Sequence, residues 1–305
     1  MKILVATEKP FAVEAVEGIK SELEANGNEL ALLEKYQDKS QLLEAVGDAD
    51  ALIVRSDKIT PDVMDAAKNL KIIVRAGAGY DNIDTEYAKS KGIVVENTPG
   101  QNSNAVAELV FGLLVYAARN FFNGKSGFEL KGKKLGILAF GNVGRNVARI
   151  AKGFCMDVYA YDAFCQKYSI ESEGVHAVDS KEELFKLSDI VSLHIPANAE
   201  TKQSIGHDLV DLIGKNGILV NTARKEVIDE AGLLQLMKER GDIKFVTDIK
   251  PDLDADFSAF SGRYFSTPKK MGAQTAEANS NAGLAAARQI NEFLKDGIAR
   301  FQVNK

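Results

Sequence analysis

The run Ala139-Phe140-Gly141-Asn142-Val143-Gly144 stands between a β-branched segment, Lys134–Leu138, and a segment of helical spacing that opens at Arg145. Glycines in such a turn let the backbone fold sharply and come close to a pyrophosphate, which then rests on the free N–H groups of the helix start. Ala139 takes the place of the first glycine in the G-x-G-x-x-G pattern, and a negative φ is expected there. Eighteen residues past Gly144, at the end of the next expected strand, lies Asp162. An acid in that position accepts hydrogen bonds from ribose hydroxyls and repels a 2′-phosphate, so the spacing points to NAD rather than NADP.

Elements of a particular kind are needed to hold these residues. The segments Lys2–Ala6, Ala51–Val54, Lys71–Val74 and Ile93–Glu96 alternate with stretches of helical periodicity, the pattern of a parallel sheet covered on both faces. A second series starts at Lys134–Leu138 and continues through Asp157–Tyr161, Ile190–His194, Gly217–Asn221 and Lys244–Asp248. The expected fold is therefore α/β, with two doubly wound, Rossmann-like parallel-sheet domains and a ligand-binding cleft between them. Residues 1–97 with 275–305 form one domain and 98–274 the other. Ala105–Arg119 is apolar nearly all round, which implies a helix buried between domains or subunits. A last helix, Ala273–Leu294, is expected to return to the first domain.

Composition narrows the function classes. A net charge of −5 offers no general attraction to nucleic acid or an anionic membrane, so an anionic substrate needs a local Arg and Lys cluster. The apolar fraction of 45% is that of a globular protein with real cores. Met1–Ala6 is too short for a signal peptide, and no apolar run reaches bilayer-spanning length. Cys155 and Cys165 have no metal-ligand spacing, so no metal site is expected and a reducing, cytoplasmic setting is.

Six blocks carry a resemblance: Val54–Ser56, Val74–Asp84, Asn97–Leu109, Gly136–Gly144, Leu193–Thr201 and Leu219–Glu230. Together they resemble the D-2-hydroxyacid dehydrogenases, and within them the D-3-phosphoglycerate dehydrogenases. The resemblance implies a substrate-binding first domain, an NAD-binding second domain and a homodimer formed through the latter, with the long apolar helix contributing. It implies NAD contacts at Gly141, Asn142, Val143, Gly144, Asp162, His194, Ile195, Pro196, Thr222, Ala223, Asp248 and Gly272. Arg224 resembles the arginine that orients the substrate: its guanidinium can grip a carboxylate bidentately and polarise the neighbouring carbonyl. The loop Ala76-Gly77-Ala78 resembles the stretch whose amides receive that carboxylate. Arg55 and Arg75 resemble the cations that take a phosphate, with Ser56 and Asn102 as neutral donors.

The chain departs from the family at the proton-transfer pair. The family's histidine follows Thr-Pro, but here Thr267-Pro268 is followed by Lys269, and the glutamate that orients the histidine falls at Pro251. The implied replacement is Lys269 as general acid, with burial and nearby Arg224 easing its deprotonation and a bound phosphate opposing it; the alternative is a lysine that only binds substrate charge. Asp252 stands in for the lost carboxylate only if its loop shifts. Little chain follows the last helix, which leaves no room for the serine-binding regulatory domain of longer relatives. Oxidation of D-3-phosphoglycerate is the leading expectation. Other 2-keto acid reductases, acting on glyoxylate or hydroxypyruvate, and a non-catalytic NAD-binding protein are the alternatives.

Overall fold

A computed structural model describes all residues from Met1 to Lys305. The chain divides into two compact units, Met1–Asn102 with Gln274–Lys305, and Ser103–Ala273. The first crossing thus comes after Asn102 rather than after Asn97, because the loop that follows the strand ending at Asn97 stays with the first unit. The return crossing lies one residue before the expected one.

The first unit holds five parallel strands: β1 (Lys2–Thr7), β2 (Glu29–Glu34), β3 (Ala51–Val54), β4 (Ile72–Arg75) and β5 (Val94–Asn97). Their order, β2-β1-β3-β4-β5, is a doubly wound one. The sequence gives no strand signal for β2: its residues, ELALLE, are strong helix formers. The segment is extended because it pairs along the whole of β1 at the sheet edge, so tertiary pairing overrides local propensity.

Helix Ala276–Asp296 belongs to this unit and packs on helix Val13–Glu24. Small residues allow the close approach. A Cβ at Gly283 would sit 2.8 Å from Ile19 Cδ1, and one at Gly18 would sit 3.0 Å from Leu284 Cδ2. The helix starts at Ala276 rather than Ala273 because the Thr275 side chain caps it, accepting from the Ala278 amide at 3.1 Å. Gly297, with φ +68°, ends it in the left-handed conformation. Ala282, Ala286, Ala287 and Ile290 thereby join Ile3, Val5 and Ile19 in one buried cluster.

The second unit holds seven parallel strands: β6 (Lys134–Leu138), β7 (Asp157–Tyr161), β8 (His176–Ala177), β9 (Ile190–Leu193), β10 (Ile218–Asn221), β11 (Lys244–Thr247) and β12 (Tyr264–Ser266). The order β12-β11-β10-β9-β6-β7-β8 reverses its direction of growth at β6, between β7 and β9. In such sheets a crevice opens at the carboxyl ends of the strands at that reversal. The short edge strands β8 and β12 carry no sequence signal of their own.

Helix Ser103–Ala118 lies within the second unit, with Ala107, Val110, Phe111, Leu113, Leu114 and Ala117 buried. Helix Asn142–Gly153 and strands β10 and β11 cover it. Its apolar circumference is therefore largely accounted for inside the unit. No helix is long and apolar enough to cross a membrane.

Candidate active site

The glycine turn begins where β6 ends, and its first residue is strained. Ala139 has φ +77°, not the negative value expected. A left-handed alanine costs roughly 1 kcal/mol. It is held in place by its amide bond to Tyr161 O at 2.8 Å. Gly144 packs directly on this turn: a Cβ there would overlap the Ala139 carbonyl oxygen, so no side chain fits. Gly141 differs, since a Cβ at that position would meet nothing within 4 Å.

Gly141 is the N-cap of helix Asn142–Gly153, and no side chain caps the helix start. The first intrahelical bond is Arg145 N to Gly141 O, so the amides of Asn142, Val143 and Gly144 find no acceptor within the chain. Three free N–H groups beside open space at the positive end of a helix suit the pyrophosphate of a dinucleotide.

Asp162 follows β7 and does more than wait for a ribose. One carboxylate oxygen accepts from Phe140 N at 2.7 Å; the other accepts from Phe164 N and Cys165 N, both at 2.8 Å. Burial works against its charge, but the three backbone amides outweigh that cost and hold the carboxyl below the usual carboxylate range. About one of its four acceptor sites is left for a hydroxyl group. Asp162 thus braces the glycine turn and keeps one place open.

His194 follows β9. Its Nε2 lies 3.0 Å from Ser192 Oγ, and burial pushes the imidazole down to about 3, so the ring is neutral near pH 7. Ile195 is half-buried and Pro196 exposed. Past β10, Asn221 brackets the turn with both ends of its amide: Oδ1 accepts from Ala223 N at 3.0 Å, and Nδ2 donates to Arg224 O at 2.9 Å. This fixes the backbone that presents Arg224. The half-buried guanidinium donates to Ala223 O at 2.9 Å and has no other partner. Between them Thr222 is buried and its hydroxyl has no hydrogen-bond partner within the chain.

At β11 and β12 the picture changes. Asp248 is fully buried, and its carboxylate accepts from the amides of Met271 at 2.7 Å and Gly272 at 2.8 Å. Thr267 Oγ lies 2.9 Å from the same carboxylate. These bonds fix the turn that bears Lys269. Lys269 itself is exposed, where burial was expected, and its ammonium has no ion-pair partner. Pro251 is buried, and Asp252 is exposed and paired with Lys225, so Asp252 does not replace the family's glutamate.

In the first unit the two arginines differ. The guanidinium of Arg55 uses three of its five N–H groups: it donates to Lys9 O at 2.9 Å, Pro10 O at 3.0 Å and the side chain of Asn279, and lies over the Phe11 ring. Burial pushes its pKa down, with Asp57 opposing. It clamps the loop after β1 to the C-terminal helix. Arg75 donates to Arg55 O at 2.9 Å, and its guanidinium covers Gly77 so closely that a Cβ there would overlap it. The amides of Ala76 and Gly77 are already bonded, to Val54 O and Arg75 O. Of the expected carboxylate loop, only Ala78 and its neighbour Gly79 keep amides without an acceptor in the chain. Ser56 is exposed and Asn102 half-buried.

Comparison with known proteins adds to this geometry. Residues 115–254 match the family described as "D-isomer specific 2-hydroxyacid dehydrogenase, NAD binding domain". D-3-phosphoglycerate dehydrogenase of Methanocaldococcus jannaschii is 40% identical over 87% of this chain, which spans 54% of that relative. Hydroxypyruvate reductase of Thermotoga maritima is 36% identical, with 88% of this chain and 93% of that protein covered. Among solved structures, NAD+-bound 3-phosphoglycerate dehydrogenase of Entamoeba histolytica is similar at a TM-score of 0.89. It shares 48% identity and covers 100% of this chain and 99% of that one.

Proposed function

Because the chain belongs to the D-isomer-specific 2-hydroxyacid dehydrogenases, we propose that it interconverts D-3-phosphoglycerate and 3-phosphohydroxypyruvate with NAD, an oxidation leading toward serine. The observation that carries the reading is Arg224, braced by Asn221 at the end of β10 with most of its donors uncommitted. It follows the carboxyl end of β10, as the free amides of residues 142–144 follow that of β6, in the same parallel sheet. A guanidinium so placed suits a carboxylate next to a reacting carbonyl.

In this reading the amides of Asn142, Val143 and Gly144 hold the pyrophosphate, and the open acceptor of Asp162 takes a ribose hydroxyl. His194, neutral because of its burial, contributes no charge that would compete for the anion. When bound, NAD supplies or receives the hydride. Arg224 orients the 2-keto acid and draws electron density toward the carbonyl oxygen, and Lys269 donates the proton that oxygen needs. The phosphate falls to Arg75 in this reading. A homodimer through the second unit belongs to the same reading, and its mass in solution tests it.

The commitment of Arg55 favours a second reading, in which the substrate is an unphosphorylated 2-keto acid such as hydroxypyruvate or glyoxylate. Initial rates with NADH and a panel of phosphorylated and plain 2-keto acids decide between them. Phosphohydroxypyruvate is expected to give the highest kcat/KM. A higher value with hydroxypyruvate or glyoxylate replaces the first reading with the second. NADH binding without turnover on any of them removes both.

A further inference from the structure

The family's histidine has a ring whose donor nitrogen must be aimed, and a glutamate aims it. An ammonium carries three equivalent donors on a rotating head, so its direction matters less and the place of its backbone matters more. The turn that carries Lys269 is fixed accordingly, from below.

Strands β11 and β12 pair up to Thr247 and Ser266, and the next amide, Thr267 N, still bonds to Thr247 O at 3.0 Å. Asp248 and Thr267 therefore stand side by side just past the paired ends, and both are buried. The Thr267 hydroxyl lies 2.9 Å from three acceptors: Asp248 O, Asp248 Oδ1 and Lys269 O. It has one proton to share among them, so it ties the carbonyl of Lys269 to the buried aspartate. On the far side of the turn the same carboxylate takes the amides of Met271 and Gly272. Gly272 permits this closeness, since a Cβ there would lie 3.0 Å from Asp248 Oδ2 and 3.2 Å from Val106 Cγ2. The two-lysine turn is thus pinned before and after its lysines by one buried carboxylate and one hydroxyl.

We propose that Thr267, acting with Asp248, is the positioning residue for Lys269, a backbone clamp that does the work the absent orienting glutamate does elsewhere. The proposal rests on Lys269 being the proton donor. It assigns Thr267 no contact with substrate: its effect passes through Lys269 alone.

Thr267→Val keeps the shape and removes the hydroxyl; Thr267→Ser keeps the hydroxyl. Thr267→Val is expected to lower kcat for 2-keto acid reduction by about tenfold or more, the scale on which small misplacements of a catalytic group act. NADH affinity, read from the enhancement of NADH fluorescence, is expected to stay within about twofold, and Thr267→Ser to recover most of kcat. Hydrogen exchange of residues 268–272 in the cofactor-free protein gives a readout without turnover, and exchange there is expected to quicken in Thr267→Val only. In a Lys269→Met background, Thr267→Val is expected to cost nothing further, since there is no longer a donor to position. A further loss of kcat in that background, or wild-type kcat in Thr267→Val, overturns the proposal. So do equal losses in kcat and NADH affinity, or unchanged exchange across 268–272. Full turnover in Lys269→Met alone defeats the reading of Lys269 instead, and is recognised separately.

Discussion

Two regions along the carboxyl ends of one parallel sheet are built on opposite principles. At β6 and β7 the backbone is left unsatisfied: three helix-start amides have no acceptor in the chain, and Asp162 braces the turn around them. At β11 and β12 the backbone is tied down, with the amides of Met271 and Gly272 and the Thr267 hydroxyl all drawn onto Asp248. In the function proposed above, the first end receives an anion with main-chain groups and the second holds a side chain still. A dehydrogenase needs both, and this chain does not use one device for the two tasks.

Separating the ends is the strongest test of that contrast. Lys269→Met removes the proton but keeps a long side chain, so reduction is expected to slow by about 10²–10⁴, the usual worth of general acid catalysis. NADH affinity is expected to hold, because the pyrophosphate and ribose contacts expected at residues 141–144 and Asp162 do not involve Lys269. A variant that raised only KM would leave Lys269 a substrate-binding charge.

The comparison extends to the two arginines of the first unit. Arg75→Ala is expected to raise KM for phosphohydroxypyruvate by about ten- to hundredfold, the effect of losing a charge-assisted hydrogen bond. Its effect on an unphosphorylated 2-keto acid is expected to be small. Arg55→Ala is expected to lower the melting temperature instead, since it loosens the loop at Lys9–Pro10 and the contact with Asn279. Michaelis constants and thermal melts of both variants separate the roles, and a reversed pattern exchanges them.

At the open end, His194 makes stability depend on pH. Its folded pKa of about 3 lies below the ordinary value of 6.5, so its contribution is complete above pH 6.5 and drains away as pH falls toward 3. The slope attributable to it is about 1.4 kcal/mol per pH unit in that window. His194→Gln is expected to flatten the acid limb of a denaturation series, and an unchanged limb would mean that the imidazole is hydrated. The smallest effect belongs to Ala139→Gly. Relieving the positive φ is expected to stabilise the second unit by about 1 kcal/mol, a few degrees in melting temperature. NADH affinity is expected not to fall.

The sequence carried some of this plainly and hid the rest. Glycine spacing and the alternation of strands are local signals, and they led to both sheets, the turn at Gly141–Gly144 and Asp162. The strain at Ala139 is not local: it arises where Gly144 presses on the turn and Tyr161 holds the amide. Strand β2 was concealed by helix-forming residues that only pairing with β1 extends. Arg55 matches a phosphate-binding pattern in type and place, yet the carbonyls that claim it are 45 and 46 positions away in the chain. Asp248 shows a similar limit. Its spacing from Thr267 carries no periodicity, and only the parallel pairing of β11 with β12 brings the two together.

The division of the chain also has a consequence for its birth on the ribosome. Residues 103–273 form a continuous unit, whereas the first unit is interrupted by all of them. Ala282, Ala286, Ala287 and Ile290 complete the cluster around Ile3, Val5 and Ile19, so residues 3–19 wait for residues 282–290 to be made. Synthesis at about 5–20 residues per second makes that wait many seconds long. The second unit has its whole sequence in hand first and closes first. During the interval that face of the first sheet has only helix Val13–Glu24 against it, and helix Ala276–Asp296 completes its cover.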